Sequence, residues 1–433
     1  MGGNEFDALI VGAGPAGATA ALVLARRGCK VAVIERGEFP GAKNMFGGTL
    51  FGSVLNDIIP GFWKKAPVER FVGRRVISLL AEDSAVSLDF SPAAFKKAPY
   101  NGFTVQRARF DRWYAGEAVK AGALLINRTV VDDIIWKNGR VAGVKVRRPG
   151  GEIRAKVVIA ADGALSLLAR KAGLRGEPAP GQFSLGVKEV LQLPPEVLEE
   201  RFGLGGDEGV SCEFLGLMGG LPGGAFLYTN RESLSVGVVV RVSLLKEKGK
   251  SIYGALEQFK RHPAVAPLLE GGRFLEYSAH LIPEAGPQML SRLYTGGMLV
   301  AGDAAGLVLS GGVFLEGVNL AVASGRLAAE TALQALEKGK FDAPAMAGYQ
   351  AAMEESFVLK DLQRYKRASA MLLNERLYQF YPSFACRVLE NWLKVDGTGH
   401  PKLAGVIRSV LGGGTGLRQA AKDAWQIGRA LVW

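Results

Sequence analysis

The chain has 433 residues, 48% of them hydrophobic and 22% charged, with 58 glycines and a formal net charge of +12. That length supports a large core in two or three interlocked lobes, and the absence of an uninterrupted apolar run of about 18 to 20 residues argues against a transmembrane helix. Cys29, Cys212, Cys386, His262, His280 and His400 are scattered, which argues against a thiolate-held cluster, a disulfide framework and metal catalysis.

The first element predicted is a buried parallel strand ending in Ala8-Leu9-Ile10-Val11, followed by Gly12-Ala13-Gly14-Pro15-Ala16-Gly17 and a helix of small residues to about Gly28. Gly12 permits a tight turn, Gly14 lets backbone approach a pyrophosphate, and Gly17 lets helix and strand pack closely, so the helix N-terminus offers free N–H groups to phosphate. A second strand, Val31 to Ile34, closes on Glu35 and Arg36, and Glu35 stands 21 residues beyond Gly14, where a carboxylate accepts hydrogen bonds from an adenosine ribose. The unit predicts an ADP-containing dinucleotide and by itself leaves FAD and NAD open.

Next come a loop, Gly41-Ala42-Lys43-Asn44-Met45-Phe46-Gly47-Gly48, a strand-and-helix region to about Pro99, and Arg107 ahead of a helix from Phe110 to Ala121. Phe110, Trp113, Tyr114, Ala118 and Val119 fall on related faces of that helix. Leu124 to Asn127 reads as another buried strand, and Val130 to Ile159 as a meander with turns at Asn138-Gly139 and Pro149-Gly150. The meander ends in Ala161-Asp162-Gly163. An alternating, turn-rich stretch from Phe183 to Leu281 suits a mostly antiparallel second lobe. A strand at Met298 to Ala301 runs into Gly302-Asp303, a helix opens at Gly317-Val318-Asn319, and helical spacing dominates from Ala343 onward. Taken singly, Asp162 and Asp303 read equally well as helix caps.

In this order the phosphate loop, the Ala161-Asp162-Gly163 strand end and Gly302-Asp303 resemble the p-hydroxybenzoate hydroxylase-like flavoproteins. The resemblance implies FAD as the cofactor, Asp303 at the ribityl side of the flavin, and the amides of Gly317, Val318 and Asn319 at the pyrimidine edge. Helix-start donors there suit the negative charge that reduced flavin carries near N1 and the C2 carbonyl. The loop holding Asn44, Gly47 and Gly48, together with Pro222-Gly223-Gly224-Ala225-Phe226-Leu227-Tyr228-Thr229-Asn230, resembles the FixC-type subunit. That subunit is a relative of electron transfer flavoprotein:quinone oxidoreductase, and Arg107 matches the basic residue that meets FAD in that family.

The fold class expected is α/β: a Rossmann-like FAD-binding domain (1–180 and 291–340) interleaved with a mostly antiparallel β lobe (181–290), and a helical C-terminal region (341–433). The larger quinone oxidoreductase carries a cysteine-ligated cluster domain, whereas this chain has one cysteine after Cys212. The FixC-type resemblance therefore implies partners: a small ferredoxin-like iron–sulfur subunit, a two-subunit electron transfer flavoprotein in a bifurcating complex, and a membrane quinone.

The uncharged run Phe214 to Asn230 reads either as a buried strand pair or as one wall of a quinone channel. The basic tail, with Trp425 and Trp433, reads as a lipid-surface or partner-docking helix. The N-terminus lacks the order of a signal peptide, so the location expected is cytoplasmic, on the inner face of the membrane. The excess positive charge suits an acidic partner or anionic lipid; without a nucleic-acid module it does not point to DNA or RNA. No protein nucleophile or metal is required by the chemistry. A geranylgeranyl reductase-like flavoprotein, a monooxygenase and a non-catalytic scaffold are the competing readings.

Overall fold

The computed structural model describes residues 5–43, 48–148, 150–284, 289, 292–312, 315–412 and 416–432. Asn44 and Gly47, expected near the cofactor, lie outside the described residues, as does the turn residue Pro149.

The first sheet has eight described strands. Its path runs Tyr294–Thr295, Met298–Val300, Glu152–Ala160, Phe6–Val11, Val31–Ile34, Leu124–Ile126. Four neighbouring pairs along this path are parallel. The central strands read as apolar runs because both faces are covered: Ala8, Leu9 and Ile10 are 0% exposed, as are Val157 to Ala160. The expected meander is present as Val131–Lys137, Arg140–Val146 and Glu152–Ala160, the last strand turning into the sheet centre.

Leu124–Ile126 corrects one expectation. It is a strand, yet an edge one, with Leu124 52% exposed. The helix before it, Arg107–Lys120, buries Phe110, Tyr114 and Ala118 as the spacing predicts, but Val119 faces out at 44% exposure.

The second sheet has nine described strands and is mostly antiparallel. Its path is Arg273–Pro283, Phe183–Gln192, Ser233–Arg241, Leu221–Thr229, Glu208–Met218, Val68–Leu80, Gly102–Val105, Thr49–Phe51, with Ala85–Phe90 added beside Val68–Leu80. Glu208–Met218 and Val68–Leu80 pair in parallel, and that junction stitches residues 49–105 onto the strands after 183. The chain thus passes from one sheet to the other and back.

Two helices cover the first sheet's nucleotide end, Pro15–Arg26 and Val318–Lys338. They touch backbone to backbone: a Cβ on Gly325 would sit 2.2 Å from the Ala16 carbonyl oxygen. The last helices, Arg376–Leu393, Leu403–Gly412 and Leu417–Leu431, form the C-terminal region. Among the described residues, no helix is long and apolar enough to cross a membrane.

Candidate functional site

The first strand stops at Gly12, whose φ of +99° is open to glycine at little cost. A Cβ there would also lie 2.2 Å from the Ala161 carbonyl oxygen, and one on Gly17 would lie 1.9 Å from the Gly12 carbonyl oxygen. Both positions therefore demand glycine for contact between neighbouring backbones. The helix begins at Pro15, with Gly14 at its N-cap; no described side chain caps it and no acid stands in its first turn. Its free amides face an open space, a setting that draws anions. Glu35 accepts the Ala13 amide at 3.0 Å and the Gly37 amide at 2.6 Å, so it shapes the loop while keeping further acceptor sites.

That space is a cavity of ≈ 730 Å³, within the range of small-molecule and cofactor pockets. Gly12, Gly14, Pro15, Ala16, Glu35 and Arg36 line it from the first strand–helix–strand unit. Gly48 and Arg107 line it from the second region, Ala161, Asp162 and Gly163 from the meander end, and Gly302, Asp303, Gly317 and Val318 from the late strand and helix. Four separated stretches of sequence converge here. Gly17 and Asn319 do not line the cavity: Gly17 acts in packing, and the Asn319 side chain donates to Glu316 Oε2 at 2.6 Å.

The two aspartates differ. Asp162 accepts from Ser166 Oγ at 2.7 Å and from the Leu168 amide at 3.0 Å, holding the start of the Leu167–Lys171 helix. The N-cap of that helix is Ser166, whose Oγ accepts the Ala169 amide at 3.2 Å, so Asp162 braces the cap rather than forming it. Burial raises its carboxyl above the usual range despite these bonds. Asp303 sits in the short turn Gly302–Ala305, and burial raises its carboxyl too, against the pull of His280, Arg107 and Arg175. Arg107 has only 11% of its side chain exposed, and Asp111, bidentate at 2.8 Å, keeps its guanidinium above its ordinary value against that desolvation.

Sequence reading missed His280. It lies on Arg273–Pro283, faces the cavity, and is pushed by burial below the ordinary imidazole range, with Asp303 opposing. Nothing in its local sequence marks it, because only strand alternation brings it to the cavity. Lys43, from the glycine-rich loop singled out in the sequence, also lines the cavity, and Thr129 and Arg170 line it without a sequence signal. Arg170 Nε is buried and has no hydrogen-bond partner among the described residues, as an anion-binding donor would.

A second cavity of ≈ 130 Å³ lies against the first, and Thr49 and Leu315 line both. Phe214, Leu215, Pro222, Gly223, Gly224 and Phe226 form one wall. The uncharged run is a buried strand pair, Glu208–Met218 with Leu221–Thr229, and it also faces a cavity.

Three family models match the chain: FAD dependent oxidoreductase over residues 7–177, ETF-QO, ubiquinone-binding, over 183–282, and ETF-QO/FixC family C-terminal domain over 368–432. Protein FixC of Escherichia coli (strain K12) is 43% identical over 399 residues, covering 92% of each chain. The chain belongs to the ETF-QO/FixC family. Other similar proteins are a probable electron transfer flavoprotein-quinone oxidoreductase, YdiS, of Escherichia coli (strain K12), 42% identical over 94% of this chain and 97% of its own, and Protein FixC of Azorhizobium caulinodans, 42% identical over 91% and 92%.

Among solved structures, a geranylgeranyl bacteriochlorophyll reductase-like protein from Thermoplasma acidophilum matches with a TM-score of 0.73 over 98% of this chain and 99% of its own. At 22% identity it shares the fold. This ETF-QO/FixC family member is an FAD-dependent oxidoreductase. Its residues fit that cofactor: a glycine cradle that any Cβ would fill, an uncapped helix start, an acid at the second strand, and a cavity of cofactor size.

Proposed function

We propose that the chain takes electrons from a two-subunit electron transfer flavoprotein, directly or through a small ferredoxin-like iron–sulfur subunit, and passes them to a membrane quinone. The setting is a FixABCX/EtfABCX-like bifurcating complex. One observation carries the reading: the large cavity shares Thr49 and Leu315 with a smaller one, whose other lining residues include Phe214, Leu215 and the run from Pro222 to Phe226, inside the span matched by the ubiquinone-binding model. The small cavity resembles in size an apolar cavity of about 150 Å³ that accepts one benzene ring. It suits one quinone ring, with the isoprenoid chain running outward.

FAD supplies three stable redox states, which join one-electron delivery to two-electron reduction. The chain's residues bind and orient it. The Gly12–Gly17 turn brings amides to the pyrophosphate, and Glu35, with Arg36 beside it, meets the adenosine ribose. Asp303 and Arg107 meet the ribityl side and the ring, and the amides of Gly317 and Val318 stabilise negative charge at the pyrimidine edge, with Asn319 behind them in the same helix start. Gly48, at the cavity wall, borders the ring through its backbone.

Peripheral attachment to the inner membrane face accompanies this function. The basic tail presents Trp425 (57% exposed) and Val432 (71% exposed), with Leu393 (63%) at the end of the Arg376–Leu393 helix and Val395 (82%) just after it. The geranylgeranyl reductase alternative has the shared fold in its favour and no further feature of the cavities.

Anaerobic mixing of the FAD-loaded chain with reduced electron transfer flavoprotein and a short-chain ubiquinone tests the proposal. Quinol forms only when all three are present. Quinol that forms equally without the chain, or hydrogenation of a prenyl lipid in place of quinone reduction, counts against it.

A further inference from the structure

The smaller cavity is lined by two carboxyl groups, each paired with a serine and an arginine. Glu213 stands on Glu208–Met218; its Oε1 accepts from Ser211 Oγ at 2.6 Å and from Arg75 Nη2 at 3.0 Å. Its Oε2 is buried and has no hydrogen-bond partner among the described residues. Glu284 follows Arg273–Pro283; its Oε2 accepts from the Ser184 hydroxyl, with Arg241 Nη2 at 3.8 Å. Thr49, which borders both cavities, donates to Ser211 Oγ at 3.3 Å. A line of hydroxyls therefore leads from the large cavity through Thr49 and Ser211 to Glu213.

We propose that Glu213 and Glu284 are the two proton donors to a quinone in the smaller cavity, one for each quinone oxygen. This rests on the reading that the quinone ring enters that cavity. Reduction to the quinol adds two electrons, drawn from reduced FAD, and two protons. Each glutamic acid breaks its own O–H bond as a new O–H bond forms on a quinone oxygen. Glu213 regains a proton along Thr49 and Ser211 from the large cavity, and Glu284 regains one from water. Anionic reduced flavin gives up one proton on reoxidation, which the Thr49–Ser211 line returns to Glu213, and together with the proton that water supplies to Glu284 this balances the two that the quinol gains.

Electrostatics supports the assignment. Burial raises the Glu213 carboxyl above its ordinary range, against Arg75 on the neighbouring strand and the Ser211 hydroxyl; Cys212 and Tyr228 are the other titratable groups coupled to it. Burial raises Glu284 likewise, against Ser184 and Arg241, with Tyr378 facing it from the C-terminal region. A donor that holds its proton nearer to neutral pH transfers it more effectively. Arg75 and Arg241 then stabilise the carboxylates left behind.

The test uses the FAD-loaded chain with ubiquinone-1 and the variants Glu213→Gln, Glu284→Gln, the double variant, Glu213→Asp, Glu284→Asp and Gly224→Val. A Cβ on Gly224 would meet its nearest atom, the Phe214 carbonyl oxygen, at an ordinary 3.6 Å, so the position admits a side chain that narrows the cavity, and retained FAD content with a parental melting temperature shows that the valine variant is folded. Each Gln variant keeps its affinity for ubiquinone-1, loses one infrared carboxylic-acid band and reduces quinone on the order of 100-fold more slowly. The Asp variants recover part of the rate and shift its pH profile. Normal binding with an unchanged rate and pH profile in the double variant overturns the donor assignment. If Gly224→Val binds and reduces ubiquinone-1 like the parent, the quinone lies elsewhere, and the reading beneath the assignment falls with it.

Discussion

Glu35 Oε2 accepts the backbone amide of Ala13 at 3.0 Å, tying the end of the second strand to the turn that precedes the first helix. The same carboxylate accepts the Gly37 amide at 2.6 Å and borders the large cavity. It thus holds the turn after the first strand in shape and keeps further acceptor capacity at the cavity. Glu35→Gln turns one acceptor end into a donor that faces an amide. Loss of one charge-assisted hydrogen bond of about 2 kcal/mol corresponds to FAD binding weaker by roughly 30-fold. Fluorescence titration of apoprotein with FAD measures it.

Gly17 acts through space rather than through a ligand. Its added Cβ would stand 1.9 Å from the Gly12 carbonyl oxygen, a backbone atom that cannot swing aside. Gly17→Ala should cost about 2–3 kcal/mol as overpacking, seen as a lower temperature of flavin release. Gly348, in the Ala343–Glu355 helix, has nothing within 4 Å of an added Cβ. Gly348→Ala should instead stabilise by about 0.5–1 kcal/mol.

The C-terminal helix is held by one acid. Asp423 is fully buried and takes two contacts of 2.6 Å from Arg376, with Tyr381, Asn374 and Gln419 as further donors. The Arg376 bonds, foremost, hold its carboxyl well below the usual range. A depressed folded-state pKa gives stability that is full above the unfolded value, about 3.9, and is lost as pH falls below it. Asp423→Asn should loosen the Leu417–Leu431 helix by about 2–3 kcal/mol at neutral pH and flatten this acid dependence. Hydrogen exchange of that helix against pH reads both effects.

Much of the nucleotide half was legible in the chain, because glycines at fixed spacing between apolar strands have few other uses. Gly12, Gly17, Glu35 and the Gly302-Asp303 turn carry their physics in local sequence. The strand Leu124–Ile126 misled, since an apolar run cannot say whether a neighbour covers both faces; Leu124 has none on one side. His280, Glu213 and Glu284 were illegible for a different reason. Their positions depend on strand pairing across the second sheet, including the parallel join of Glu208–Met218 to Val68–Leu80. No local pattern encodes that join.

The most direct measurement is anaerobic. The purified chain, loaded with FAD and fully reduced, is mixed rapidly with ubiquinone-1 while flavin absorbance is followed. The account predicts reoxidation with one quinol formed per FAD, and its loss in Gly224→Val. Reduced flavin that persists in the presence of excess quinone would contradict it.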